Sequence, residues 1–215
     1  MHVLEAAGLH RFFHTPTDEV VALKDVSLYV DAGEFVAVVG PSGSGKSTLL
    51  ACLAGLDDPD GGRVSVVGQT ISRRTEADRA ALRARHIGIM LQGHNLFDHL
   101  TVRGNTKLVA RLARSHSADR LADLGIASRA DLAPTKLSGG EAARASIAIA
   151  IASDPDVVLA DEPTAELDGD TESVVVELLR ELCREGKAVL VVTHSERVAS
   201  AADRVLTLDD GELRA

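Results

Sequence analysis

The chain reads Gly40-Pro41-Ser42-Gly43-Ser44-Gly45-Lys46-Ser47-Thr48. An apolar stretch, Phe35–Val39, precedes this run and a helical pattern begins at Ser47, so the run fits G-x-x-x-x-G-K-[ST] at a strand-to-helix turn. The glycines let successive N–H groups point into one concavity, and the helix N-terminus adds about half an elementary charge there. The whole run is therefore predicted to bind phosphate, with Lys46 on the β- and γ-phosphates and the Ser47 hydroxyl on Mg²⁺. The alternative, a Gly/Ser-rich turn with a surface lysine, is disfavoured by the two matching flanks.

Short apolar runs without alternation are typical of strands that are covered on both faces. Such runs are Phe35–Val39, Val64–Val67, Ile87–Leu91, Val157–Ala160, Val189–Val192 and Val205–Leu208. Helical patterns separate several of them, at Ser47–Ala54, Glu76–Arg83, Glu141–Ala152, Thr171–Cys183 and Glu196–Ala201. Strands that alternate with helices predict an α/β fold with a mostly parallel core sheet.

Two parts of the chain depart from this alternation. Near Met1–Leu9 and Ala22–Val30, apolar and polar residues alternate, which predicts an N-terminal antiparallel strand pair. From about Leu96 to Pro134 the chain is rich in Ala, Arg, Leu and Asp and has no convincing strand pattern, which predicts a helical insertion. We therefore expect a single domain over residues 1–215, with a helical subdomain inserted at about residues 93–150.

The composition disfavours several classes of protein. The 215 residues carry 23 Lys and Arg against 32 Asp and Glu, a net charge of −9, which argues against a nucleic-acid partner. With no Trp, one Tyr and four Phe, few side chains can stack on a ligand. Cys52 and Cys183 lie in apolar helical patterns, which predicts buried thiols and no disulfide framework. No apolar run approaches the roughly 18 residues of a membrane span and no signal-peptide pattern is present, so we expect a cytoplasmic chain.

A second apolar pattern ends in two carboxylates, in Val157-Val158-Leu159-Ala160-Asp161-Glu162-Pro163. A buried strand that stops at Asp161 places that carboxylate at the C-terminal edge of the sheet, where the phosphate loop also lies. Asp161 is therefore expected to hold Mg²⁺, either as a direct ligand or from the second shell, and Glu162 is the expected general base for an attacking water. A helix-capping acidic pair is the alternative, but the phosphate loop upstream favours the catalytic interpretation.

A second anion-binding helix start is found at Leu137-Ser138-Gly139-Gly140-Glu141. One phosphate loop already serves one nucleotide, so a second site makes sense if it serves the nucleotide of another subunit. At this point the sequence resembles the ATP-binding-cassette (ABC) ATPase family, over essentially the whole chain. The resemblance rests on the phosphate loop, Gln92, Leu137–Glu141, Val157–Pro163, Ala165–Asp168 and His194, which come in the family's order.

The resemblance implies roles for further residues. Gln92 is similar to the family's glutamine that contacts Mg²⁺ and the attacking water, and His194 to the histidine that hydrogen-bonds the γ-phosphate. Asp168 matches an aspartate at the dimer interface. Phe13 most nearly matches the aromatic residue that stacks on adenine, and the adjacent Phe12 and simple core packing of the pair are the alternatives.

In the family, two such chains form a head-to-tail homodimer around two ATP. Each ATP is held between one chain's phosphate loop and Ser138, Gly139 and Gly140 of the other. The implied cofactors are ATP and Mg²⁺, and the implied reaction is hydrolysis, in which Lys46 stabilises charge on the phosphates. The chain looks most like the lipoprotein-release, macrolide-export and cell-division subgroup. Subunits of that subgroup act at the inner face of the cell membrane on an integral membrane permease, which in some cases transmits force across the membrane.

Several stretches depart from the family pattern. They are the less aromatic run after Gln92, the short segment Lys107–Ala130, Glu141 in place of glutamine, Ile147–Ile151 without the usual arginine, and the unusual Ala165–Asp168. None of these changes removes a residue with an implied catalytic role, so the resemblance predicts an active ATPase.

Three other classes compete with this interpretation. A soluble ABC ATPase that acts on ribosomes or DNA would carry a second cassette or long coiled coils, and the sequence has neither. A P-loop kinase or GTPase would lack both Leu137–Glu141 and His194. A regulatory cassette, whose ATP-dependent dimerisation controls a partner outside transport, stays open because of the departures described above.

Overall fold

Strands and helices alternate along most of the chain, as the sequence pattern predicts. The computed structural model describes residues 2–14, 19–91, 95–115 and 119–214. Their strands are β1 (His2–His14), β2 (Glu19–Asp31), β3 (Phe35–Val39), β4 (Gly61–Val66), β5 (Gln69–Thr70), β6 (Ile87–Met90), β7 (Val157–Asp161), β8 (Ala188–Val192), β9 (Arg204–Asp209) and β10 (Glu212–Arg214). Their α-helices are α1 (Lys46–Leu53), α2 (Glu76–His86), α3 (Val102–Leu112), α4 (Gly139–Ala150), α5 (Gly169–Arg184) and α6 (Glu196–Ala201), and 3₁₀ turns lie at Ala127–Arg129 and Pro134–Lys136.

The central sheet has the strand order β10-β9-β3-β8-β7-β6. Its strands run parallel except β10, which pairs antiparallel with β9 at the edge. Every residue of β7 and β8 is buried, as the unbroken apolar runs predict for strands covered on both faces. Because β3, β8 and β7 are parallel neighbours, the residues that follow them meet at one edge of the sheet. This edge carries the phosphate loop, Asp161 and His194.

A smaller antiparallel sheet of order β2-β1-β4-β5 packs beside the central sheet. Its inner residues, such as Leu4, Leu9 and Leu23, are fully buried in one cluster with Leu49 and Leu53 of α1. A second cluster joins the other face of the central sheet to α4 and α5. The predicted antiparallel pair at the N-terminus is therefore confirmed, and its contact with α1 places it next to the phosphate loop.

The described residues between β6 and β7 contain α3, two 3₁₀ turns and α4 and no strand, in agreement with the helical insertion of the predicted fold class. The buried Asn105 of α3 fixes the loop before it. Its side chain accepts a hydrogen bond from the Phe97 N–H at 2.8 Å and donates to the carbonyls of Phe97 and Thr101. Among the helices of the described ranges, none is both long and apolar enough to cross a membrane.

The sequence prediction missed three elements and shifted the bounds of others. β5 and β10 have two and three residues and exist through pairing with β4 and β9, so their own sequences carry little strand signal. The helix α3 lay unassigned within the predicted insertion. The helix α4 begins at Gly139, two residues before the predicted start, because Ser138 caps it.

Candidate active site

The phosphate loop between β3 and α1 is pressed against backbone from both sheets. A Cβ on Gly40 would lie 2.0 Å from the Leu208 carbonyl oxygen, and one on Gly45 would lie 2.4 Å from the Ala22 carbonyl oxygen. Gly45 has φ of +103° and is the residue that caps α1, a conformation that favours glycine. The backbone N–H of Gly211 also donates to the Ser44 carbonyl at 3.2 Å. The loop conformation therefore depends on glycine at these positions and on strands distant in sequence.

The loop lines a cavity of about 700 Å³ at the edge of the central sheet. The predicted residues Gly40, Ser42, Gly43, Gly45, Lys46, Ser47 and Thr48 line it together with Phe13, Asp161, Glu162 and His194. The Lys46 ammonium donates to the carbonyls of Gly40 and Pro41 at 2.8 and 2.9 Å. A cation therefore lies in the curve of the loop, beside the N-terminus of α1, where a phosphate is favoured.

Asp161 and Ser47 approach each other from two different elements. The Ser47 hydroxyl hydrogen-bonds the Asp161 carboxylate, which is 8% exposed at the end of β7. Burial raises the pKa of Asp161, with the neighbouring Glu162 charge adding to it, while the Ser47 hydrogen bond and the Lys46 charge lower it. These hydroxyl and carboxylate oxygens fit Mg²⁺, which takes few protein ligands and completes its shell with phosphates and water. In the part of the chain described, no three His, Cys, Asp or Glu side chains are grouped as a metal site.

Glu162 and His194 face each other across the ends of β7 and β8. The Glu162 Oε1 atom lies 2.8 Å from His194 Nδ1, and Oε2 accepts hydrogen bonds from the Thr193 hydroxyl at 3.0 Å and the His194 N–H at 3.3 Å. The Glu162 backbone has φ of +47°, an uncommon conformation for a residue with a side chain. It is held there by a hydrogen bond from its N–H to the Val192 carbonyl at 2.9 Å. A tightly bonded carboxylate in an uncommon backbone conformation, beside the cavity that the phosphate loop lines, is a candidate catalytic group.

The second anion-binding segment lies at the start of α4. The Ser138 hydroxyl accepts from the Glu141 N–H, and the Glu141 side chain accepts from the Ser138 N–H, which forms a capping box. A Cβ on Gly140 would lie 2.4 Å from Thr171 Cγ2, so the glycine allows α4 to approach the first turn of α5 closely. A Cβ on Gly139 would lie 3.5 Å from Leu167 Cδ2, an ordinary contact distance, so the close approach depends on Gly140.

Asp168 caps α5 within the same chain. Its carboxylate accepts hydrogen bonds from the N–H groups of Asp170 and Thr171 and from the Thr171 hydroxyl, at 2.9 to 3.1 Å. These bonds lower the pKa of Asp168. Of the residues described around the phosphate cavity, none comes from Ser138–Gly140 or Asp168. The two predicted halves of the nucleotide site therefore line different cavities of one chain, and Glu162 borders both cavities.

The two candidate adenine-stacking residues differ in their surroundings. Phe13 lines the phosphate cavity, its side chain is 40% exposed, and the Arg11 guanidinium lies 4.7 Å from its ring centroid. Phe12 pairs with His10, with 6.4 Å between ring centroids. Gln92, predicted to contact Mg²⁺ and the attacking water, lies outside the described residues.

Part of the cavity wall was not predicted from the sequence. Asp210 and Gly211, in the turn between β9 and β10, and Val20–Ala22 of β2 also line it. An Asp-Gly pair between two short strands is a hairpin signal, so β10 could have been found from Asp210 and Gly211. Their place beside the phosphate loop follows only from the strand order of the sheet.

The arrangement of loop, carboxylates and histidine defines the class of protein as a P-loop nucleoside triphosphatase. A family model described as ABC transporter matches residues 23–165, and the chain belongs to that family. It is an ABC-type ATPase, with ATP and Mg²⁺ as cofactors.

Curated relatives include macrolide export ATP-binding/permease proteins named MacB. The protein of Burkholderia pseudomallei (strain K96243) is 42% identical over 98% of this chain and 33% of its own length. The protein of Photorhabdus laumondii subsp. laumondii is 38% identical over 98% of this chain and 34% of its own length. The chain thus spans about a third of the length of these relatives.

Solved structures of high similarity cover almost the whole chain. A dimeric structure of MJ0796, described as a bacterial ABC transporter cassette, has a TM-score of 0.91 and 33% identity, covering 99% of this chain and 97% of its own. A dimeric post-hydrolysis state of MJ0796 bound to ADP and Pi gives the same values. The α/β architecture with an antiparallel N-terminal sheet and a parallel core is therefore that of an ABC cassette.

Proposed function

We propose that the chain powers a membrane complex by closing on a second copy of itself around two ATP and reopening after hydrolysis. The partner that it drives is an integral membrane permease of the macrolide-export kind, which carries a substrate or transmits force across the membrane. The chain would then act at the inner face of the membrane, held there through the permease. The named relatives, which combine ATP-binding and permease parts, support this assignment.

One observation is the main support for the proposed dimer. Ser138, Gly139 and Gly140 form a capped helix start that favours an anion, yet they do not line the cavity formed by the phosphate loop of their own chain, as far as the described residues show. A second chain in head-to-tail orientation would bring this segment to the open side of the cavity. Asp168 and the residues before it would then lie at the same interface. The dimeric relatives support such an arrangement.

The geometry supports in-line attack of water on the γ-phosphate. Lys46 would hold the β- and γ-phosphates, and Glu162 would accept a proton from the attacking water. His194, whose Nδ1 atom lies 2.8 Å from Glu162 Oε1, would contact the γ-phosphate through its other ring nitrogen, Nε2. Mg²⁺ held by Ser47 and Asp161 would neutralise charge on the phosphate oxygens.

An apolar groove supports the permease as partner. It has a volume of about 580 Å³ and lies between α2, β6, α3 and α4. Leu91, Phe97 and Leu112 line it while remaining 44%, 53% and 68% exposed. Ile149 also lines it, within the stretch where the family usually has an arginine. Large exposed apolar side chains around one groove favour a protein partner.

The test is the Glu162→Gln variant, which keeps the size of the side chain and removes the base. We expect phosphate release to fall at least about 100-fold, within the range for loss of a general base, and light scattering to show a dimer in MgATP. Glu181→Gln is the control, because Glu181 is exposed on α5. A Glu162→Gln protein that stays monomeric in MgATP would contradict the proposed dimer, and undiminished phosphate release would remove Glu162 as base.

A further inference from the structure

A largely buried carboxylate outside the predicted site connects two of its turns. Glu172 lies in the first turn of α5, and its side chain is 15% exposed. Its Oε1 atom accepts hydrogen bonds from the Thr164 hydroxyl at 3.0 Å and the Ser195 hydroxyl at 2.6 Å. Its Oε2 atom lies 3.2 Å from the Nε atom of Arg197.

The two hydroxyl donors belong to the turns that carry the catalytic pair. Thr164 is two residues after Glu162, and Ser195 directly follows His194. Thr164 is 4% exposed, so its hydroxyl has little access to water as an alternative partner. The carboxylate of Glu172 therefore bonds both turns through the same oxygen atom.

A second path joins the same groups on the other side. The Thr193 hydroxyl donates to Glu162 Oε2 at 3.0 Å and accepts from the Ser195 N–H at 3.0 Å. Hydrogen bonds through Thr193 thus link Ser195 to Glu162, and hydrogen bonds through Glu172 link Ser195 to Thr164. The two turns cannot shift relative to each other unless this ring of hydrogen bonds breaks.

The position of Glu172 stabilises its charge. It is in the first turn of α5, where the helix dipole favours a carboxylate, and Arg197 supplies a cation from α6. Arg197 also donates to the Ser173 hydroxyl at 2.7 Å, which ties its guanidinium to α5. A charged acceptor makes stronger bonds to the two hydroxyls than a neutral one would.

We propose that Glu172 is a positioning residue for ATP hydrolysis, which sets the orientation of His194 through Ser195 and links it to the segment Ala165–Asp168 through Thr164. A displacement of His194 by the γ-phosphate then moves that segment as well. The same carboxylate therefore connects phosphate sensing with the surface assigned to the second chain. The inference rests on the ATPase activity, and its link to the interface rests on the proposed dimer.

The experiment measures steady-state ATP hydrolysis by Glu172→Gln over a range of ATP concentrations. We expect kcat to fall about 10- to 100-fold, as for a catalytic group misplaced by about 1 Å, with KM for ATP changed less than about twofold. KM is retained because Lys46 and Ser47 are untouched. Glu177→Gln is the matched control, since Glu177 is on the same helix and makes an exposed ion pair with Arg184.

A double-mutant cycle separates positioning from a general loss of structure. If Glu172 acts through Ser195, Glu172→Gln combined with Ser195→Ala should be no slower than the slower single variant. The ¹⁵N resonances of the His194 imidazole should shift in Glu172→Gln and not in Glu177→Gln. If Glu172→Gln fails to fold, the variants Thr164→Val and Ser195→Ala take its place in the test, because each removes one hydroxyl donor.

Three results would overturn the inference. They are an unchanged kcat, additive losses in the cycle, or an unshifted His194 resonance. The outcome is independent of the proposed dimer, because a monomeric Glu162→Gln protein in MgATP would refute dimerisation while the kcat effect of Glu172→Gln could stand.

Discussion

At the scale of single residues, the surroundings of Phe13 and Phe12 differ and favour Phe13 as the proposed contact to the base. Arg11 lies against Phe13 and is itself fixed by Asp57, with Nε and Nη2 at 2.9 and 3.0 Å from the two carboxylate oxygens, and by Asp60 at 3.0 Å. A cation over one face of an aromatic ring holds the ring by a cation–π interaction. Phe13 is thereby oriented by residues that follow α1, at the wall of the nucleotide cavity.

We predict that Phe13→Ala weakens ATP binding about tenfold, as expected for the loss of one base–aromatic stack. The measurement is a titration with a fluorescent ATP analogue, competed by ATP. Phe12→Ala is the matched control and should change the affinity less than about twofold. Equal losses in the two variants, or no loss in Phe13→Ala, would show that Phe13 has no specific contact with the base.

At the scale of elements, the start of α4 contains a departure from the family pattern that makes a structural contact. Glu141 stands where the family usually has glutamine. Its carboxylate accepts from the Ser138 N–H at 2.9 Å and from Arg129 Nε at 2.7 Å. The hydrogen bonds from Arg129 and Ser138 lower the pKa of Glu141 to about 2. The ion pair thus joins α4 to the 3₁₀ turn Ala127–Arg129 within the helical insertion.

We predict that Glu141→Gln lowers the free energy of unfolding at pH 7 and that its difference from wild type shrinks as the pH falls below 4.5. The folded-state pKa of about 2 lies below the ordinary value of 4.5, so the charged carboxylate stabilises the fold above pH 4.5. That contribution is lost as the pH falls from 4.5 towards 2. Urea unfolding at several pH values between 7 and 3 measures it, and a difference that is constant over this range would refute the prediction.

The sequence predicts those elements that have a recognisable pattern of apolar residues within their own stretch of chain. The buried strands β3, β7 and β8 were found because strands covered on both faces must be apolar throughout, and their ends then locate Asp161 and His194. Arg11 and Glu172 were not found, because their partners lie 46 and 23 residues away and meet them only in the folded chain. Polar residues on helices and strands carry no periodic signal for such contacts.

At the scale of the whole molecule, the phosphate cavity and the apolar groove are lined by different sets of the described residues. Met90 of β6 is buried, while Leu91, the next residue, lines the groove and is 44% exposed. Phe97, in the loop held by Asn105, lines the same groove. A partner seated in the groove would therefore contact the segment that leads from β6 to the helical insertion.

We predict that Leu112→Ser reduces recovery of the chain with the proposed permease about tenfold, because Leu112 is 68% exposed at the groove. The measurement is affinity purification from detergent-solubilised membranes, with the permease identified by mass spectrometry. Val174→Ser is the control, since Val174 is 46% exposed on α5, away from the groove. Equal recovery of the two variants would remove Leu112 from the interface, and recovery of the wild-type chain without any permease would contradict membrane coupling.

Ala22 and Leu208 lie directly against the phosphate loop and constrain its shape, which affects how a nucleotide binds. Strands of both sheets set the shape of this loop, so the loop is preorganised before a nucleotide binds. Little binding free energy is then spent on ordering it, so the first encounter with a nucleotide is governed by diffusion into the cavity. Under the proposed dimer, the slow and regulated events would be the association and separation of the two chains.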